Sequence, residues 1–258
     1  MQADSGLRLT SSANPLLKTI RKAARRGRAT AEGLWLAESP HLLDEAVDCG
    51  AEIQTVVLAD RSAPASHALA ERSGAPIRLV SDEIFDELAT TEHSQGLLAL
   101  VRPKTWQINE LVSLPGPLLI LDQVADPGNV GAIARSAEAF GAAGLLLTKG
   151  SAWPDNPKTL RASAGALFRL PIVAGLKAEA ALAACAEAGR PLLAAAAHGG
   201  TPLVDAELAS AAIVIGSEAH GVSAVLADKA QEIHIPTRRV ESLNAAVAAA
   251  IILYEAAR

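Results

Sequence analysis

With 258 residues, a mass of 26.5 kDa and half of its side chains apolar, the chain can bury a substantial core in one large or two modest domains, which excludes intrinsic disorder. No apolar run reaches the ~18 residues that a bilayer span requires. The start MQADSGLRLT lacks the basic and apolar regions of a secretory signal, so no membrane partner and a cytoplasmic location are expected.

The net charge of −5 opposes a polyanionic partner only on average, because Lys18, Arg21, Lys22, Arg25, Arg26 and Arg28 crowd into KTIRKAARRGR without one acid. Such a field can set a positive face against phosphate while the rest of the surface stays acidic. That basic stretch falls in a helix predicted over 15–26. Residues 14–102 then alternate strand-like and helix-like pieces: LWLAE, a helix near 41–49, QTVVLA, a helix near 66–72, IRLV, a helix from Asp82 and LLALVR. This is a small α/β unit. Residues 103–117 hold three prolines and a glycine with little apolar period, and read as a linker. A second α/β series fills 118–258: PLLILD, a helix over 127–140, GLLLT, helices near 157–166 and 178–188, PLLAAAA, AAIVIG, EIHIP and a last helix from Ser242 to about Ala256. Continuous apolar strands of this kind belong to a parallel sheet covered on both faces.

Several chemistries lose their signals. Cys49 and Cys185 lie in no C-x-x-C, and the histidines form no H-x-x-x-H pair, so neither a disulfide framework nor a resident metal is expected. An aromatic content of 3% argues against a platform of stacked rings for single-stranded nucleic acid. No two glycines stand two residues apart, which removes the G-x-G-x-x-G dinucleotide loop, and Val222 occupies the position where GSEAHGVS would need a P-loop lysine.

Three segments remain, each at the end of a predicted strand, where parallel sheets usually bind ligands. In LILDQVADPGNVGAIARSAEAFGA, Asp126 can cap a helix with Pro127 at its first position, and Asn129 and Arg135 follow six residues apart. A turn residue and a solvated helix charge are the plainer reading of that pair. In IVIGSEAHGVS, Gly216, Ser217, Glu218 and Gly221 form either a ligand loop or an ordinary strand-to-helix turn. In EIHIPTRRVESLNAAVAAAIILYEAAR a strand ends at Ile235, Ser242 reads as the helix N-cap and Asn244 as a first-turn residue.

Together, DPGNVGAIARSAEAFGA, IVIGSEAHGVS and IPTRRVESLNAAVAAAIILYE, in this order, resemble the SpoU (TrmH-like) family of RNA ribose 2′-O-methyltransferases, part of the SPOUT superfamily. NPLLKTIRKAARRGR, LWLAESPHLLDEAV and TEHSQGLLALVRP are weaker matches to the substrate-binding domain often joined to it. Ser217 stands where many relatives carry asparagine, and Arg238 and Arg239 where they carry a small residue and glycine.

The resemblance implies an L30e-like RNA-binding domain over 1–102 and a catalytic domain over 118–258, with a parallel sheet and a deep trefoil knot. It implies S-adenosylmethionine bound at Ile215, Gly216, Ser217, Gly221, Ile235 and Leu243, and a homodimer through the catalytic domain. Arg135 would be the central catalytic residue, with Asn129, Glu218, Ser242 and Asn244 arranging ribose, phosphate and arginine. A guanidinium is strongly basic and seldom gives up its proton, so Arg135 is expected to hold phosphate and stabilise the nascent alkoxide. Lys18, Arg21, Lys22, Arg25 and Arg28 would contact RNA, rRNA before tRNA; Arg21, Arg25 and Arg28 share a face if the helix runs on through Gly27. The rival reading is a non-catalytic RNA-binding or ribosome-assembly protein retaining the fold, against which the five polar motif residues argue.

Overall fold

In the computed structural model, which describes residues 7–240 and 242–258, the chain separates into two units. The first runs through Lys104 and also takes in Asp155–Phe168; the second comprises Thr105–Pro154 and Arg169–Arg258.

The first unit is built on the strands β1 (Leu7–Arg8), β2 (Trp35–Glu38), β3 (Glu52–Ala59), β4 (Ile77–Val80) and β5 (Leu97–Arg102), in the sheet order β1-β4-β3-β5-β2. β5 runs antiparallel to both β2 and β3, while β4 is parallel to β3. Helices α1 (Pro15–Arg26), α2 (Pro40–Asp48), α3 (Pro64–Arg72) and α4 (Asp82–Asp86) connect them. The limits of α1 are set locally. Asn14 accepts a hydrogen bond from the Leu16 amide at 2.9 Å, Pro15 occupies the first turn, and Gly27 takes the left-handed conformation at φ 58° that ends a helix. Leu17, Ile20 and Ala23 on its inner face join Leu36, Val57, Leu98, Leu100 and Phe85 in one core. Each fully buried Leu or Ile contributes about 1.5–3 kcal/mol.

Gly27 also corrects one expectation. The helix does not run on to Arg28, which leaves its axis and donates to the Asp155 carboxylate at 2.9 and 3.0 Å, beside the Ala29 amide at 2.8 Å. Arg21 is withdrawn too: it is mostly buried, pairs with Glu87 at 2.5 Å and reaches the Ser12 carbonyl. Lys18, Lys22, Arg25 and Arg26 stay exposed. Positions 18, 22, 25 and 26 fall on one helical face, and none of the four has a hydrogen bond or ion pair among the described residues.

In the second unit α5 (Ile108–Val112) lies inside the stretch read as a linker. It has a capping box between Gln107 and Glu110 and buries Leu111 and Val112. Then follow β6 (Leu118–Asp122), α6 (Pro127–Ala139) and β7 (Gly144–Thr148). The next helix, α7 (Pro157–Ala162), belongs to the first unit with the rest of Asp155–Phe168, whereas the sequence pattern assigned all of 118–258 to one domain. Within the first unit Arg161 donates to Thr90 at 2.7 Å and lies 3.9 Å from buried Glu38, and Phe168 meets Trp35 at 6.3 Å between ring centroids. These partners are far apart in sequence, so no local periodicity announces them.

The second unit continues with β8 (Ile172–Leu176), α8 (Ala178–Glu187), β9 (Leu192–Ala196), β10 (Thr201–Pro202), β11 (Ala212–Gly216), α9 (Ala224–Ala227), β12 (Gln231–His234) and α10 (Ala245–Ala256). All pairings in the sheet, ordered β10-β12-β9-β11-β6-β7-β8, are parallel. The continuous apolar runs LLILD and GLLLT are buried throughout, as a sheet covered on both faces demands. Leu118, Ile120, Leu146 and Val214 pack with Ala181, Cys185, Leu111 and Leu226 of α8, α5 and α9. α6 and α10 pack on one another and contact β7 and β11. Burial pushes the Cys185 thiol up to about 11, which keeps it protonated and removes it as a nucleophile. No helix among the described residues is long and apolar enough to cross a membrane.

Candidate functional site

Because the strands are parallel, their carboxyl ends share one edge of the sheet, and that edge carries the site. A cavity of about 410 Å³ opens where β9, β11 and β12 end and α10 begins. This is in the range of small-molecule sites. Ile215, Gly216, Ser217, Gly221, Ile235 and Leu243 all line it, as do Glu218, Ser242 and Asn244. Two of the three motif segments therefore meet in one wall. Apolar atoms come from residues 195–197, Leu203, Ile233 and Ile252.

Between β11 and α9 the chain folds into a tight loop. Ser217 and Gly221 exchange backbone hydrogen bonds of 3.1 and 2.9 Å, and the Ser217 hydroxyl accepts from the His220 amide at 3.1 Å. Gly221 supplies a left-handed turn at φ 67°. The loop carries Glu218 outward to the first segment, at the start of α6. Asp126 caps α6 by accepting from the Asn129 amide at 2.9 Å, which sets Asn129 in the first turn. The Asn129 side-chain amide donates to Glu218, while its carbonyl oxygen accepts from Asn244 at 3.1 Å. Asn129 thus joins Glu218 and Asn244, 89 and 115 residues further along the chain, in one hydrogen-bonded row. A carboxylate beside the first turn of α6 is further favoured by the partial positive charge of a helix amino end.

Asn244 corrects the expected start of the last helix. It is the N-cap itself: its side-chain oxygen accepts from the amides of Ala246 and Val247 at 2.9 and 3.3 Å, and α10 begins at Ala245. Ser242 lies upstream of the cap, exposed, in the cavity wall. The same amide side chain thereby caps the amino end of α10 and fixes Asn129, which explains asparagine at a position where serine would cap as well.

Arg135 stands apart. It is exposed on α6, does not line the cavity, and has no hydrogen bond or ion pair among the described residues. A guanidinium with no partner among the described residues, on the helix that also carries Asn129, is available to an anionic ligand. Sequence reasoning missed His234, which lines the cavity with its Nδ1 atom buried and unpartnered among the described residues. It also missed the alanines of β9. A lone histidine in a strand and an alanine run carry no motif signal, since neither residue type specifies a reaction.

Residues 116–254 match the SpoU rRNA Methylase family, and residues 14–99 match the MRM3-like substrate binding domain. The chain is 33% identical to an uncharacterized tRNA/rRNA methyltransferase of Synechocystis sp., over 97% of this chain and 93% of the relative. It is 29% identical to the 23S rRNA (guanosine(2553)-2′-O)-methyltransferase RlmP of Bacillus subtilis, over 95% of this chain and 97% of the relative. The AdoMet-bound rRNA methyltransferase from Sinorhizobium meliloti superposes with a TM-score of 0.81 at 27% identity, covering 96% of both chains.

Proposed function

The chain belongs to the SpoU rRNA methylase family, and from that premise we propose that it transfers a methyl group from S-adenosylmethionine to a ribose 2′-hydroxyl of rRNA. The observation that carries this reading is the site itself. A cavity at the ends of three parallel strands is joined, through Glu218, to the row made by Asn129 and Asn244.

The cavity suits the donor. Main-chain edges of β11 and the segment after β12 offer polar groups, the alanines and isoleucines offer an apolar wall, and Gly216 admits no side chain between them. When bound, S-adenosylmethionine supplies a methyl group already activated on sulfonium. The chain's own work is then positioning and charge stabilisation. Ile215, Gly216, Ser217, Gly221, Ile235 and Leu243 hold the donor. Asn129 fixes one oxygen of Glu218, so that the carboxylate can orient the ribose hydroxyl. Arg135 grips the adjacent phosphate and stabilises negative charge on the 2′-oxygen, while the hydroxyl proton leaves to water or another group of the site. Ser242 contributes a hydroxyl to the ribose end of the cavity.

The finer features follow from the same premise. The strand β11 enters between β6 and β9 after both are laid down, and α10 then returns to pack on α6. That order is the kind a trefoil knot in the C-terminal segment requires. Val247, Ile251 and Tyr254 recur along one exposed face of α10, an apolar stripe suited to a second copy of the chain. The first unit is the RNA-binding module, an L30e-like domain, with Lys18, Lys22, Arg25 and Arg26 as its phosphate-facing surface; Arg21 and Arg28 serve the fold instead.

Labelled S-adenosylmethionine incubated with unmodified rRNA and tRNA transcripts, followed by digestion, should place the label on ribose in rRNA. Label on a base, or none with donor bound, would sink the reading. The triple variant Lys18→Glu, Lys22→Glu, Arg25→Glu should weaken binding of many RNAs alike by about a hundredfold at low salt, and should flatten the dependence of log Kd on log salt. An unchanged salt slope in filter binding would remove α1 from the RNA surface.

A further inference from the structure

We propose that Asp122 is a positioning residue for the site, a clamp that holds both legs of the loop carrying Glu218. The inference rests on the methyl-transfer reading above for its functional meaning, and on the geometry alone for the clamp. Asp122 ends β6 and is 1% exposed. Its main chain lies opposite Gly216 in the parallel register of β6 and β11, which secures the first leg. Its side chain secures the second: Oδ2 accepts from the Ser223 amide at 2.7 Å. The other oxygen, Oδ1, accepts from the Thr148 hydroxyl at 2.9 Å, and that hydroxyl accepts from the Gln123 amide at 3.0 Å.

A buried carboxylate is costly, and no cation pairs with this one among the described residues. What it secures is leverage. Residues 217–221 are closed on themselves by the paired backbone bonds of Ser217 and Gly221, so the loop moves as one body. Beyond it α9 has only four residues and its N-cap Ser223 makes no side-chain cap bond, so apart from the packing of Val222 and Leu226 on the core the polar hold on the second leg comes from Asp122. Without the bond to Asp122 the loop could pivot about Gly216. Such a pivot would carry Gly221 out of the cavity wall and Glu218 away from Asn129.

The Thr148 hydroxyl fixes the carboxylate's rotamer, so both donors are needed. In Asp122→Asn one oxygen remains for two donors, and the new amide group faces either Ser223 or Thr148. A matched control lies at the same strand end. The Ser151 hydroxyl donates to Leu121 and accepts from Val124, with no bond to the loop.

Amide hydrogen exchange of residues 217–223 in the free protein and calorimetric binding of S-adenosylhomocysteine would test the clamp. Asp122→Asn should speed loop exchange about tenfold and weaken S-adenosylhomocysteine about tenfold, lowering kcat while RNA affinity stays within about twofold. Ser151→Ala should lower Tm without moving either reading. Loop exchange and affinity equal in the two variants would overturn the proposal. Should Asp122→Asn not fold, Thr148→Val should give an intermediate loss of affinity that Thr148→Ser restores; identical affinities across that series overturn it as well. A wild-type protein that bound no S-adenosylhomocysteine would sink the methyl-transfer reading, while amide exchange would still judge the clamp.

Discussion

Arg135→Ala is expected to lower methyl transfer by about a thousandfold while S-adenosylhomocysteine binds within about twofold of wild type. The split follows from placement. Arg135 lies outside the cavity wall and makes no bond among the described residues, so its loss costs neither the fold nor the donor site. All of its effect should fall on the substrate phosphate and the charge growing on the 2′-oxygen. Arg135→Lys keeps the charge but loses the planar fork, and should recover only part of the rate. Single-turnover kinetics with rRNA transcripts would decide. Near-normal turnover of the lysine variant would show that two-point contact is not needed, and near-normal turnover of the alanine variant would remove Arg135 from catalysis.

Gly216→Ala should abolish S-adenosylhomocysteine binding, by about a hundredfold or more in Kd, and destabilise the second unit by about 1–3 kcal/mol. A β-carbon at Gly216 would lie 2.2 Å from the Gly221 carbonyl carbon and 2.4 Å from both its oxygen and the Val222 nitrogen. Those are backbone atoms in a loop locked by its own hydrogen bonds, so relief requires the loop to leave the cavity wall. Gly221→Ala is the instructive contrast. Its β-carbon would meet nothing within 4 Å, but φ is +67°, which costs an L-residue about 1–2 kcal/mol. Gly221→Ala should therefore keep most of its affinity while losing stability. Wild-type affinity in Gly216→Ala, measured by calorimetry, would mean that the loop does not pack against β11 as described.

Much of the site was legible because a parallel sheet sends every strand's carboxyl end to one edge. Three polar segments following three apolar runs must then gather there, whatever their spacing along the chain. Ile215, Gly216, Ser217, Gly221, Ile235 and Leu243, which the family resemblance had named, line one cavity at that edge. Local signals misled where two residues could play one part. Ser242 and Asn244 are both good caps, and only the bond from Asn244 to Asn129 shows why the second is used. In α1, charge spacing favoured a face extending to Arg28, whereas the left-handed Gly27 turns that residue to Asp155. The prolines of residues 103–117 suggested an open linker, but a capped turn of helix between them buries Leu111 and Val112.

The amino-acid sequence by itself determined most of the elements and the parallel character of the second sheet, and its motifs named candidate site residues through their resemblance to a family. Periodicity, helix caps and glycine positions act within a few residues of one another, so the order of letters suffices to read them. Only the tertiary structure decided which distant groups satisfy one another: Asp155 with Arg28, Arg161 with Thr90, and Asp122 with both Ser223 and Thr148. A buried polar atom must find a partner, yet its own neighbours in sequence do not say where that partner comes from. The assignment of Asp155–Phe168 to the first unit and the pinning of the Glu218 loop both depend on such bonds, and both become visible only once the sheet has brought their ends together.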